Sequence, residues 1–243
     1  MLRKAKTLKG FHLGAMDGEI GHVKDFYFDD ASWKVRYIVA DTGKWLPHRK
    51  VLISPLAVGS IDAKHHVINV QLTKNQVEES PTIEADKPVS RQMEEDYLRY
   101  FGWPFYWLDP LMWGAPVAAG PVETATEETA KGDPHLRSTE EVIGYHLQAR
   151  DGEIGHVEDF LFDEEDWSIQ ELIVDTRNWL PGKRVLVSPL FIKSVNWAES
   201  SVQVRLTREA LKSDLPEYHP PDEDNPDESI LHAYSAGRTF PLP

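Results

Sequence analysis

The ten residues "DGEIGHVKDF" at 17–26 return as "DGEIGHVEDF" at 151–160, with one change, Lys24 to Glu158. Aligned without a gap, the two copies match from about Gly10 to Ser80 and from about Gly144 to Asp214, with roughly 30 of about 65 positions identical. Trp33 with Trp167, "DTGKWLP" with "DTRNWLP", and "VLISPL" with "VLVSPL" anchor the match. A unit of about 70 residues that recurs only twice is too long for a solenoid repeat and large enough to enclose a small core. Two similar small domains are therefore expected.

Each copy reads as short strands followed by a short helix. Asp17-Gly18 carries the turn chemistry of a tight hairpin, because glycine tolerates the positive φ such a turn demands. On the second strand of that hairpin, Ile20, Phe26 and Phe28 share one parity while Val23 and Tyr27 take the other. A bulge or sharp bend near Gly21 would reconcile them. "KVRYIVADT", "KVLISPLAVGSI" and "HVINVQLT" supply further strands, the middle one checked by Pro55, and Thr73 with Gln76 offers a helix N-cap and its reciprocal partner. Five or six short strands in about 70 residues suit a small closed or partly closed barrel.

The order of these motifs, from "DGEIGHVKDF" through "VADTGKWLP" and "RKVLISP" to "INVQLTKNQV", resembles the PRC-barrel family. That family is named for the cytoplasmic barrel of the H subunit of the bacterial photosynthetic reaction centre, and a related barrel forms one domain of a ribosome maturation factor. The resemblance covers both repeats. It implies a mainly β chain of two small barrels in tandem, used for binding or assembly, with no shared catalytic constellation. The domains expected are a first barrel over 1–84, an aromatic helical segment over 85–114, a flexible linker over 115–140, a second barrel over 141–216 and an acidic tail over 217–243.

The segments outside the repeats differ from each other. In "SRQMEEDYLRYFGWPFYWLDPLMWGAPVAAG", Ser90 is placed as an N-cap and Gly102 as a helix stop, and Met93, Tyr97 and Tyr100 or Phe101 recur at helical spacing as an aromatic stripe. The first reading of that stripe is packing against its own barrel. Between Gly102 and Gly120 the only charge is Asp109. Pro104, Pro110 and Pro116 argue against a continuous membrane helix, since each removes a backbone donor that lipid cannot replace. Trp103, Trp107 and Trp113 suit an interface with a protein or, peripherally, with lipid headgroups. The linker is rich in Thr, Glu, Ala and Pro and too poor in apolar side chains to offset ordering entropy. The acidic tail contains one apolar island, "SILHAYSAG".

Charge and composition exclude several classes. The net charge of −14 repels nucleic-acid phosphates, and no segregated basic patch is visible. The absence of cysteine removes disulfides, thiolate catalysis and Cys-ligated zinc, and fits a reducing compartment. The basic start "MLRKAKTLKG" is followed by no signal-like apolar run, so no export is expected.

His12, His22, His146 and His156 occupy matching places near Asp17, Glu19 and Asp25, yet no metal-binding spacing is present and they read as ordinary surface imidazoles. Asp29-Asp30 and Asp163-Glu164 read as solvated strand ends. Ser54 and Ser188 lack a nucleophile elbow. Trp45 and Trp179 read as indoles covering barrel ends, or as a rim that contacts a partner, followed by the charges Arg49-Lys50 and Lys183-Arg184.

The sequence therefore predicts a bacterial, cytoplasmic, non-enzymatic interaction protein without cofactor or metal. Its partner-binding candidates are Tyr97, Tyr100, Phe101, Trp103, Trp107, Trp113, Trp45 and Trp179. The barrels would pair within the chain or in a homodimer. The alternatives are a peripheral component of a photosynthetic membrane complex and a small-ligand or metal-binding protein.

Overall fold

The computed structural model describes residues 1–46, 49–81, 91–106, 136–176, 183–210 and 217–218. The chain divides into two compact units. The first barrel contains α1 (Ala5–Leu8), β2 (His12–Ala15), β3 (Gly18–Asp29), β4 (Lys34–Asp41), β5 (Lys50–Ile53), β6 (Val58–Asp62), β7 (Val67–Val70) and α2 (Lys74–Glu78). Its strand order is β5-β4-β3-β2-β7-β6, antiparallel except for the β2–β7 pair. β5 passes to β6 through a 3-10 turn whose N-cap, Ser54, accepts from the Leu56 amide. The interior is filled by Leu13, Ile20, Val23, Phe26, Phe28, Ile38, Ile53 and Ile68, all essentially inaccessible. The second barrel repeats this order with β9 (His146–Ala149), β10 (Gly152–Asp163), β11 (Ile169–Asp175), β12 (Arg184–Val187), β13 (Ile192–Asn196) and β14 (Ser201–Val204).

β3 bulges twice. Leu13 pairs with Gly21 and Gly14 with Glu19, which leaves Ile20 as the extra residue. Val23 then pairs with Ala40 and Asp25 with Val39, which leaves Lys24 extra. Each bulge switches the parity of the strand. Ile20, Val23, Phe26 and Phe28 consequently all reach the core although they do not alternate.

The expected bend at Gly21 is present, and its cause is a close backbone approach. A Cβ on Gly21 would lie 2.1 Å from the Asp41 carbonyl oxygen, and one on Gly155 would lie 1.9 Å from that of Asp175. The hairpin turn falls on Met16 and Asp17, with Gly18 at φ 143° pairing with Ala15. Asp17 has a further task. Its carboxylate accepts from the Lys74 amide at 2.8 Å, and Asp151 accepts from the Arg208 amide at 2.7 Å, tying each hairpin to the helical turn that ends its barrel. Thr73 and Gln76 form the expected capping box.

Two short strands lie outside the repeat order expected from sequence. β1 (Leu2–Lys4) pairs with β10 of the second barrel, and β8 (Leu136–Ser138) pairs with β3 of the first. Residues 1–4 thus belong to the second unit, and the first unit takes in residues up to Glu140 together with Glu165–Ser168. The boundaries drawn at 1–84, 115–140 and 141–216 move accordingly. Residues 136–140 are not linker, because they form β8 and open α4 (Thr139–Val142). Residues 107–135, which hold the rest of the expected linker, lie outside the described residues.

Buried polar contacts hold these strands. Asp25, 5% exposed, accepts from Ser138 Oγ at 2.5 Å, Thr139 Oγ1 at 2.8 Å and the Glu140 amide at 3.0 Å, as well as from the Phe26 amide at 2.8 Å. The acidic pairs read as solvated strand ends receive arginines instead. Arg137 Nε meets Asp30 at 2.8 Å and Arg3 Nε meets Glu164 at 2.8 Å.

β4 is buried from Lys34 to Ala40, so both of its faces are covered. α3 (Arg91–Phe101) supplies part of the cover in the first barrel, as the first reading of its aromatic stripe anticipates. Glu94, Tyr97 and Leu98 are buried. The Tyr97 hydroxyl donates to the Leu52 carbonyl, and the Tyr37 and Tyr106 hydroxyls donate to Glu94 Oε1 at 2.8 and 2.9 Å. The guanidinium of Arg36 lies 4.0 Å from the Tyr106 ring centre. The helix ends as Gly102 predicts, with the Gly102 amide on Arg99 and the Trp103 amide on Leu98 in a Schellman arrangement. Ser90 lies outside the described residues.

In the second barrel the corresponding cover is Tyr218, buried against Leu161, Ile173 and Leu186 with its amide on the Arg184 carbonyl. The tail drawn from residue 217 therefore begins with two docked residues, and 219–243 lie outside the described residues.

Removing the Asp25 carboxylate strands four buried or half-buried donors. Asp25→Ala is expected to lower the unfolding free energy by about 2–4 kcal/mol in urea titration, and a loss below about 0.5 kcal/mol would contradict the role assigned to it. A second expectation concerns alkali. Burial, then the Glu94 charge, raises the Tyr37 phenol well above its ordinary value; burial raises Tyr97, and burial with Asp159 pushes Tyr218 up to about 12. The unfolded chain releases these protons near pH 10 while the folded chain retains them. Their stabilisation is thus complete below pH 10 and is lost as pH rises beyond it. Urea unfolding between pH 8 and 11 should show this decline, with a shallower slope in Tyr97→Phe.

Candidate functional site

The eight aromatic candidates separate into buried, part-exposed and undescribed groups. Tyr97 is fully buried and bonded to β5, so it is not a partner contact: its ring and hydroxyl complete the barrel. Tyr100 stands at the surface, 40% exposed, with its hydroxyl donating to the Gln76 carbonyl at 3.0 Å. Desolvation and the nearby Glu79 charge raise its pKa. Phe101 and Trp103 are half-buried and stacked, with ring centres 4.4 Å apart and an interplanar angle of 14°. Tyr100 meets the Phe101 edge at 4.8 Å and 88°. The chiral reversal at Gly102, φ 70°, is what folds Trp103 back onto Phe101. The result is a small aromatic plate at the C-terminal end of α3, rigid because its rings brace one another. Trp107, Trp113 and Trp179 lie outside the described residues.

Trp45 sits in a turn closed by Thr42, whose hydroxyl donates to the Leu46 carbonyl at 2.8 Å. It is half-buried under Lys74, whose ammonium stands 4.7 Å from the indole centre. Arg49 beside it does not face outward for an acidic partner. Its guanidinium donates to the carbonyls of Val77, Glu78 and Ser80, where the C-terminus of α2 leaves acceptors open. In the second repeat Lys183 pairs with Glu217 at 2.8 Å and Arg184 with Glu158 at 2.5 Å.

The histidines do not assemble a metal centre. His12 meets Glu19 at 2.8 Å and His146 meets Glu153 at 3.0 Å, while His22–Asp41 and His156–Asp175 are separated by 3.9 and 4.0 Å. Among the described residues no group of three or more His, Cys, Asp or Glu side chains could hold a metal ion. The buried Glu94 with its two phenols was not legible in the sequence as a constellation. It acts to fasten α3. Among the described residues no helix is long and apolar enough to cross a membrane.

Comparison with known proteins agrees with the strand order. The PRC-barrel domain family matches residues 6–77, the span from α1 into α2. No curated protein matches the chain. The second sheet repeats the first in strand order, in both bulges and in the aspartate tie to its terminal helical turn. Residues 6–77 are a PRC-barrel domain, and the second repeat builds a sheet with the same strand order.

Proposed function

We propose that the chain is a non-catalytic interaction or assembly module that engages a protein partner through the aromatic plate of Tyr100, Phe101 and Trp103. A PRC-barrel domain itself points to interaction or assembly. The observation that carries the proposal is the stacked, part-exposed Phe101–Trp103 pair, which stands where the chain departs towards Trp107 and Trp113. Rigid aromatic side chains lose little conformational entropy on binding and are favoured at the centres of interfaces. A catalytic reading has less support, since the buried carboxylates of Asp25, Glu94 and Asp159 accept hydrogen bonds within the fold.

Deleting the whole aromatic segment would not test this, because Glu94, Tyr97 and Leu98 complete the first barrel. The informative variant is the double substitution Phe101→Ala, Trp103→Ala, with Trp45→Ala as a second surface. Each is compared with the unaltered chain by circular dichroism and by affinity capture from native-host lysate with membranes solubilised. A partner held at stoichiometric level by the unaltered chain and by Trp45→Ala, and lost by the folded double variant, is the expected result. Identical captured proteins in all three samples would overturn the assignment.

A further inference from the structure

The two repeats carry different side chains at several positions on one face of the sheet. In the second barrel a cavity of about 620 Å³ opens over β9, β13 and β14. Parallel pairing places Ser201 beside His146 and Gln203 beside Gln148, so alternate residues of two neighbouring strands share its floor. Lys193 from β13, with Arg150 and Arg205 at the strand ends, adds three cations. Among the described residues none of these three side chains forms an ion pair, in a chain whose net charge is −14.

The first barrel has the same register but different chemistry there. Gly14 stands for Gln148, Met16 for Arg150, Gly59 for Lys193, Val67 for Ser201 and Gln71 for Arg205. A Cβ on Gly14 would lie 3.1 Å from Asn69 Oδ1, so a side chain larger than glycine crowds Asn69 at this place in the first barrel. Both sets of residues support the same strand order, so the fold does not demand the polar set. Ser201 gives a second, independent sign. It is 4% exposed, it lines the cavity, and its hydroxyl has no hydrogen-bond partner, whereas the valine at the matching position buries no such group. A buried hydroxyl without a partner is unfavourable unless something in the cavity completes it.

We propose that this cavity is a binding site for a small hydroxylated phosphate monoester. Three cations, none of them ion-paired, outnumber the two carboxylates of the lining, Glu153 and Glu199, and suit a dianionic phosphate. Gln148, Gln203 and Glu199 supply acceptors and donors for the hydroxyl groups of its body, and Ser201 completes its hydrogen bonds on the ligand. A volume near 620 Å³ falls within the ordinary range for small-molecule sites, about 300–1,000 Å³. The site stands independently of the aromatic plate.

The test uses the full chain and ribose 5-phosphate as probe, with ribose and inorganic phosphate run separately, read by calorimetric titration and by the shift in Tm. The variants Lys193→Gly, Arg205→Gln and Ser201→Val install the first repeat's own residues, which that barrel already accommodates. Saturable binding of ribose 5-phosphate, weakened about tenfold or more by Lys193→Gly or Arg205→Gln and absent for ribose, is expected. Ser201→Val should weaken it while raising the Tm of the unliganded chain. No binding of either phosphate at about 10 mM, or binding that the three substitutions leave unchanged, would overturn the proposal. So would binding of a polyglutamate peptide, lost in the same variants, without binding of the phosphates, since that would assign the cations to an acidic protein partner.

Discussion

The carboxylate of Asp25 is the contact on which the first barrel's architecture depends most. It is buried on a bulge of β3, where an unpartnered charge would be costly, and its partners come from residues 138–140, more than a hundred positions away. Hydrogen bonds to an ionised group are stronger than neutral ones, and their directionality fixes β8 in a single register on β3. The Arg137–Asp30 contact reinforces that register, and Arg3–Glu164 does the same for β1 on β10. Three-residue strands have little apolar surface of their own. Charge-assisted contacts at both ends supply the specificity that hydrophobic patterning cannot.

This arrangement explains why one decapeptide is written twice. Asp17 ties the hairpin to the terminal helix, Gly18 and Gly21 meet backbone demands, and Ile20, Val23 and Phe26 fill the core. Asp25 secures the added strand. Nearly every residue of the stretch therefore has a structural task, and the only one that changes, Lys24 to Glu158, is the extra residue of the second bulge. There Lys24 is exposed, whereas Glu158 pairs with Arg184.

The repeat, the strands and the Gly21 bend were legible because each leaves a pattern over several residues. The second bulge was not, because two parity switches cancel and return Phe26 and Phe28 to the parity of Ile20. β1 and β8 were too short to show any period. Their signal was nevertheless present: "LRK" at 2–4 and "LRS" at 136–138 stand at the same offset as the decapeptide, just before the stretch where identity becomes dense. Among the aromatic candidates, helical spacing identified the stripe but could not tell Tyr97, which bonds to β5, from Phe101 and Trp103, which lie where the helix ends. The polar cavity was hidden for a different reason. Identity between the copies reports the shared fold, whereas the cavity's three cations and Ser201 stand at positions where the copies disagree.

The reciprocal placement of β1 and β8 also orders events during synthesis. Leu2–Lys4 leave the ribosome about 160 residues ahead of their pairing partners, Leu161–Asp163, a delay of roughly 8–30 s at ordinary translation rates. Throughout that interval β1 has no native edge to join, and the first barrel lacks β8 until residue 138 has emerged. Nascent chains on one messenger would thus carry matching open edges at the same time. Arg3, Lys4 and Lys6, in and beside that strand, place like charge on its edge, which disfavours pairing with a second copy, whereas the native edge offers Asp163 and Glu164.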